Sequence, residues 1–122
     1  IAFVNGSAGN ILSRGTDYTL NATTSTIAFT STPNGNTSAT SQTLTGWHMI
    51  AVTTGAGTTK IYNNNSEVAS ASTTAAATTG TADILLMQNN TGELGSFFFY
   101  QRALNATEIG NIWNNLKGRY GL

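Results

Sequence analysis

The chain has 122 residues, no cysteine, only 8% charged residues, and five basic residues balanced by five acidic ones. Without cysteine there are neither disulfides nor thiolate metal sites. The scattered cations (Arg14, Lys60, Arg102, Lys117, Arg119) cannot form a phosphate-tracking surface, and no apolar run approaches the ~18 residues of a membrane-spanning helix.

These features give the expectation of one domain over residues 1–122, with no nucleic-acid partner and no membrane insertion. Its surface is neutral and rich in hydroxyl and amide groups. No signal-peptide pattern stands at the front. The chain opens at Ile1 rather than Met, so a mature fragment or a part of a longer protein is expected.

Most of the chain reads as short strands broken by turn residues. Ile1–Asn5 is apolar and β-branched, and Gly6-Ser7-Ala8-Gly9 ends it. NILSR and DYTLNAT follow, with Gly15 between them. TIAFTS sets Ile27 and Phe29 against Thr26, Ala28 and Thr30, a period of two. Pro33–Asn36 is strong turn chemistry.

After SQTL and Gly46 comes WHMIAVTT, which sends Trp47, Met49 and Ala51 one way and His48, Ile50 and Val52 the other. Both rows are largely apolar, so this strand is predicted to be central. Gly55–Gly57 turns the chain into TTKIYNNNSEVAS, a hairpin bending at Asn63-Asn64-Asn65. Ser70–Ala82 is low in complexity and is read as a long loop or an irregular edge.

Asp83–Asn89 (DILLMQN) is predicted to be a buried strand from its continuous apolar run. NNTGE then leads into a last strand, LGSFFFYQR. Alternation there is predicted to bury Phe97 and Phe99 on one face and Phe98 and Tyr100 on the other. A single helix follows. Asn105 is the N-cap, Glu108 sits at the capping-box position, and Ile109, Ile112, Trp113 and Leu116 form one apolar stripe. Lys117 suits the negative helix end and Gly118 the position after it. The helix is predicted to dock on the edge of the sandwich and seal an interior holding Trp47 and the phenyl rings.

Chemistry is sparse. The five acids are Asp17, Glu67, Asp83, Glu93 and Glu108, and no two lie within a few residues of each other. Retaining glycoside hydrolysis needs two carboxyls about 5–5.5 Å apart. His48 is the sole histidine, so a Ser-His-Asp arrangement has no support. No catalytic residue is assigned, and the chain is read as non-enzymatic. Sugar recognition needs an aromatic platform and fixed amide or hydroxyl partners. The candidate binding residues are Asn34, Asn36, Asn63, Asn64, Asn89 and Asn90, all in predicted turns where Asn is also simply a good turn former. Asn-X-Ser/Thr sequons at Asn5, Asn21, Asn36, Asn64, Asn89 and Asn105 follow from the composition.

Trp47-His48-Met49-Ile50-Ala51-Val52 followed by Lys60-Ile61-Tyr62-Asn63-Asn64 resembles the central hairpin of concanavalin A-like lectin/glucanase domains, particularly the laminin G-like branch. Gly92 to Leu104 resembles their closing strand, and Asn105 to Ile109 their helix start. The resemblance implies an all-β, two-sheet antiparallel jelly-roll sandwich with one short C-terminal helix. It implies calcium as the metal of analogy, with Asp17 and Asp83 the candidate ligands. Two positions depart from the pattern: Gly95 and Ser96 replace an acidic pair, and Asn64-Asn65 replaces Asn-Gly at the hairpin tip.

Family members usually carry one or two strands before the segment matching IAFVN. An N-terminal strand or strands are therefore expected to be lacking here, with upstream sequence or a neighbouring subunit in that place. The tail Leu116–Leu122 (LKGRYGL) resembles domains appended to phage structural proteins. The function implied is a non-catalytic virion surface or fibre module that touches host glycans, with other virion or surface subunits as partners. The alternative is a lectin-like or receptor-binding module of a secreted or cell-surface adhesin. Both place the chain on a virion surface or outside the cell.

Overall fold

The computed structural model describes residues 1–6, 8–32, 34–55, 57–73 and 80–122. Among these, ten strands run in chain order: β1 (Ala2–Asn5), β2 (Gly9–Arg14), β3 (Tyr18–Ala22), β4 (Ile27–Ser31), β5 (Gly35–Ala39), β6 (Trp47–Gly55), β7 (Thr58–Asn63), β8 (Ser66–Ser72), β9 (Leu85–Leu86) and β10 (Glu93–Phe97). Helix α1 (Ala106–Leu116) and a 3-10 turn (Lys117–Tyr120) close the chain. One five-stranded sheet, sheet A, has the order β10-β1-β6-β7-β8; the other, sheet B, has the order β5-β4-β3-β2-β9. Every pairing is antiparallel, and the architecture is the expected jelly-roll sandwich.

Alternation decides which side chains enter the space between the sheets. Ala2, Val4, Ile50 and Ile61 come from sheet A, and Ile11, Leu20, Ile27 and Phe29 from sheet B, into one buried cluster. Each such Val, Leu, Ile or Phe contributes about 1.5–3 kcal/mol by leaving water. In β4, Ile27 and Phe29 are buried and Thr30 is exposed, as the period of two requires.

β6 is the middle strand of sheet A, and its two apolar rows serve two cores. Ile50 and Val52 face sheet B. Trp47, Met49 and Ala51 face outward, with Phe3 and Tyr62 from β1 and β7 beside them. That outer face would be costly in water. It is covered by Leu104, Ile109, Ile112, Trp113, Leu116 and Tyr120.

The helix therefore lies on the outer face of sheet A rather than on the sandwich edge. The apolar outer row Phe3, Met49 and Tyr62 is the physical reason. Trp47 is half-buried there, and its ring centroid is 4.8 Å from that of Tyr120. Tyr120 also stacks on Phe3 at 4.5 Å. Asn105 caps α1 as anticipated: its side chain accepts from Glu108 N at 2.9 Å, and Asn105 N donates to Glu108 Oε2 at 2.9 Å. The chain does not stop at Gly118. It tightens into the 3-10 turn, and Gly121 takes the left-handed conformation instead.

The segment from Asp83 to Tyr100 departs most from expectation. DILLMQN is not buried: only Leu85–Leu86 form a strand, at the margin of sheet B, and Ile84, Leu85 and Leu86 are each more than 40% exposed. β10 ends at Phe97. Phe97 joins the core between the sheets and Phe98 the helix-side core, while Phe99 and Tyr100 are exposed at 57% and 41%. Phe99 does not share the burial of Phe97, because β10 ends at Phe97 and the alternation of a strand ends with it. Of the low-complexity stretch, Ser70–Ser72 belong to β8 and residues 74–79 lie outside the described residues. So do Pro33, Ala56 and Ser7 of the expected turns.

Candidate ligand-binding surface

The ladder registers sort the candidate asparagines to opposite ends of the sandwich. Gly9, Ala22, Ile27 and Ala39 are level in sheet B, as are Arg14, Tyr18, Ser31 and Gly35 at the far end. Asn63 and Asn64 lie at the first end, where Gln42 follows β5. Asn89 and Asn90 lie there too, because Thr91 N donates to Ala8 O at 3.3 Å and Glu93 pairs with Asn5. Asn34, just before β5, and Asn36, in its first rungs of pairing, lie at the far end, where Asn36 Oδ1 accepts from Thr30 Oγ1 at 3.2 Å.

The hairpin between β7 and β8 builds the centre of the first end. Asn64 and Asn65 both take positive φ, 50° and 72°, as a two-residue hairpin turn matched to strand twist requires. Asn64 then clamps the neighbouring strand. Its N donates to Met49 O at 2.9 Å, and its Oδ1 accepts from Met49 N at 2.8 Å. The hairpin tip is thereby fixed to β6.

A polar chain grows from that anchor. His48 Nδ1 lies 3.0 Å from Asn63 Oδ1 and 3.3 Å from Asn64 Nδ2, and Nε2 lies 3.3 Å from Thr45 O. The roles of the ring nitrogens follow its tautomer. Asn63 Nδ2 donates to Gln42 Oε1 at 3.1 Å. Gln42, His48, Asn63 and Asn64 are all half-buried, so each is held by protein and still meets solvent. Asn5 Nδ2 donates to Glu93 Oε2 at 2.7 Å on the same end.

The departure at Gly95 and Ser96 has a structural cause. A Cβ at Gly95 would come within 2.4 Å of Tyr120 Cε1 and 2.9 Å of Trp47 Cζ3. The rings of the tail and of β6 close over this glycine, and the Ser96 hydroxyl hydrogen-bonds the Tyr120 hydroxyl. Acidic side chains do not fit where Tyr120 lies.

The five acids serve separate structural contacts or stand alone. Asp17 is buried. Its Oδ2 accepts from Gly80 N at 2.6 Å and lies 3.9 Å from Arg14 Nε, while Arg14 donates to the carbonyls of Gly80 and Ala82. This latch ties the chain at residue 80 to the β2–β3 turn. Lys60 Nζ bonds Glu67 at 2.8 Å. Arg102 grips Glu108 with two nitrogens, at 2.6 and 2.9 Å. That guanidinium, helped by Asn105 N, holds the Glu108 carboxyl at about 2. Asp83 is exposed.

Among the described residues no two acids face each other across a ladder. Among the described residues no three His, Asp or Glu side chains gather as metal ligands. Calcium takes six to eight oxygens. Asp17, occupied by an N–H and faced by a guanidinium, does not fit that role.

Sequence reasoning singled out Asn63, Asn64, Asn89 and Asn90, and the fold brings these four to one end. It missed Gln42 and the partnership of His48 with the hairpin, for which the sequence carries no local signal. Tyr120 was missed as well, although an isolated Gly95 before the aromatic run hinted at a close approach there. A family model, Laminin_G_3 of the concanavalin A-like lectin/glucanases superfamily, matches residues 1–110. No curated protein and no solved structure matches the chain.

Proposed function

This chain belongs to the laminin G-like family of the concanavalin A-like lectin/glucanase superfamily, and on that premise we propose that it is a non-catalytic recognition module that binds carbohydrate at the end carrying Gln42, His48, Asn63 and Asn64. The supporting observation is the anchored amide chain, in which Asn64 is locked to Met49 and passes its order to His48, Asn63 and Gln42. Pre-ordered amides and an imidazole at a half-exposed surface suit sugar hydroxyls, because little rotamer freedom remains to be lost on binding. The separate engagement of Asp17, Glu67, Glu93 and Glu108 favours binding over hydrolysis, which needs a carboxyl pair.

The test is a glycan array followed by titration calorimetry on the best ligand. The expected result is saturable binding that falls at least about tenfold in Asn63→Ala and Gln42→Ala, each unpaired contact being worth about 1.5 kcal/mol. Equal binding by both variants, or turnover of the glycan, rejects the reading.

A second reading concerns assembly. Ile84, Leu85 and Leu86, and separately Phe99 and Tyr100, are large apolar residues left in water, and exposed apolar side chains of this size suit contact surfaces. They support a module that seats against other subunits at an outer surface, a virion or an extracellular adhesin, as its LKGRYGL tail suggests by resemblance. Cross-linking within the native particle or cell surface, read at Leu85 and Phe99, tests it; absence of any neighbour there rejects it.

A further inference from the structure

The amide chain around His48 has a fixed direction, set from both of its ends. At one end Met49 N donates to Asn64 Oδ1 at 2.8 Å, so Asn64 turns its Nδ2 toward His48 Nδ1, 3.3 Å away. At the other end Gln42 Nε2 donates to Thr40 O at 3.2 Å, so Gln42 turns its Oε1 to Asn63 Nδ2 at 3.1 Å. Asn63 is left with its Oδ1 toward His48 Nδ1, at 3.0 Å. These directions are assigned from the network, because flipping any one amide sets oxygen against oxygen or N–H against N–H.

The imidazole is thereby short of hydrogen. Nδ1 faces the Asn63 oxygen, and Nε2 faces Thr45 O at 3.3 Å. A neutral ring carries one N–H for these two oxygens, and an imidazolium carries two. Of the neutral forms, the one with hydrogen on Nε2 makes two bonds, to Thr45 O and from Asn64 Nδ2. The other makes one, to Asn63 Oδ1. In the favoured neutral form Asn63 Oδ1 therefore receives no hydrogen from the ring. In the charged form Nδ1–H donates to it, and Asn64 Nδ2 loses its acceptor.

We propose that His48 is the positioning residue of the carbohydrate site, and that a second proton on its ring competes with a sugar hydroxyl for Asn63 Oδ1. Neutral His48 holds Asn64 and leaves that oxygen to accept a hydroxyl hydrogen from a neutral polyhydroxy ligand. Protonated His48 takes the oxygen for its own Nδ1–H, so affinity falls as pH drops. The proton comes from water and returns to it, and no covalent bond of the ligand changes. The ring meets Asn63, Asn64 and the Thr45 carbonyl, with Val4, Gly6 and Leu44 beside it, and all of these are uncharged. Among the described residues no carboxylate forms an ion pair with His48. Glu93 at this end is level with Asn5 and Trp47 on the outer row of sheet A, where Asn5 holds it at 2.7 Å. The inference rests on the carbohydrate reading and adds its control by protons; that reading does not require it.

The test runs the glycan array with the 122-residue chain at about pH 8 and about pH 5, the span over which histidine changes charge. His48→Gln, whose amide cannot change charge, is run beside it. The expected result is the same set of bound glycans at both values, weaker by about five- to tenfold at the lower one, the worth of one hydrogen bond. Binding by His48→Gln should be equal at the two. Nitrogen-15 NMR of the ligand-free chain supplies a readout that packing alone does not move. The side-chain amide signals of Asn63 and Asn64 should shift together with the His48 ring signals as pH falls, while those of Asn34 and Asn36 at the far end should not follow them. Should His48→Gln unfold, the wild-type array and the NMR titration decide. Equal wild-type binding at the two pH values overturns the proposal and leaves the carbohydrate reading standing. So does a pH dependence that a folded His48→Gln retains, or an Asn63 amide that ignores the ring. No bound glycan at either pH overturns both.

Discussion

Two flanks of the same sandwich meet water in opposite ways. On the outer face of sheet A, Phe3 and Met49 are 0% exposed beneath α1 and the 3-10 turn. Beside β9 and after β10, residues equally apolar stand in solvent, with Phe99 at 57%. The difference is not in side-chain type. It lies in whether a later element returns to cover the row. A pattern of apolar residues specifies a face that needs a cover, and the cover itself is a tertiary event.

The contrast breaks first at Ile109, the fully buried residue of the cover. Ile109→Ala is expected to cost about 2–5 kcal/mol in urea unfolding, because it opens a cavity over Phe3 and Met49. Gly95→Ala comes next. A methyl there must displace Tyr120 or Trp47, at about 1–3 kcal/mol, and near-ultraviolet circular dichroism should report the lost ring packing.

Titration sharpens the comparison further. Glu108 titrates at about 2 in the fold against an ordinary 4.5, so the unfolded chain binds more protons between those values. Its contribution is complete above pH 4.5 and is lost as pH falls toward 2. Glu108→Gln should flatten that part of the melting-temperature profile. The effect is modest because both partners of the ion pair meet solvent. The smallest effect belongs to the uncovered flank: Leu85→Ser should change stability by no more than about 0.5 kcal/mol by the same unfolding measurement, in contrast to Ile109→Ala.

Much of the fold was legible for local reasons. Ile27 and Phe29 against Thr30 gave a one-faced strand, and the double apolar row of Trp47 to Val52 gave a central one. Asn105 with Glu108 marked the helix start through two hydrogen bonds made within four residues. What stayed hidden depends on distant partners. Ile84-Leu85-Leu86 reads as buried on composition, yet only two of its residues find a strand, at the margin of sheet B. Placing α1 required knowing that Phe3, Met49 and Tyr62 share the outer face of sheet A, and those residues come from three separate strands. The site was legible only as a set of turn asparagines. Their division between two ends, and the link from Asn63 to Gln42, 21 residues apart, come from ladder registers that no short window contains.

The position of β1 between β10 and β6 also governs the order of events during synthesis. One flank of β1 is completed only by Glu93–Phe97, with Asn5 and Glu93 separated by 88 residues. Synthesis releases β1, β6 and β8 before β10, so β1 can zip to β6 and the meander through β8 can form while its other side waits. Nascent chains arrested before Glu93 should leave Phe3 open to protease and to chaperone, and release of residues 93–122 should close both the strand and its helical cover.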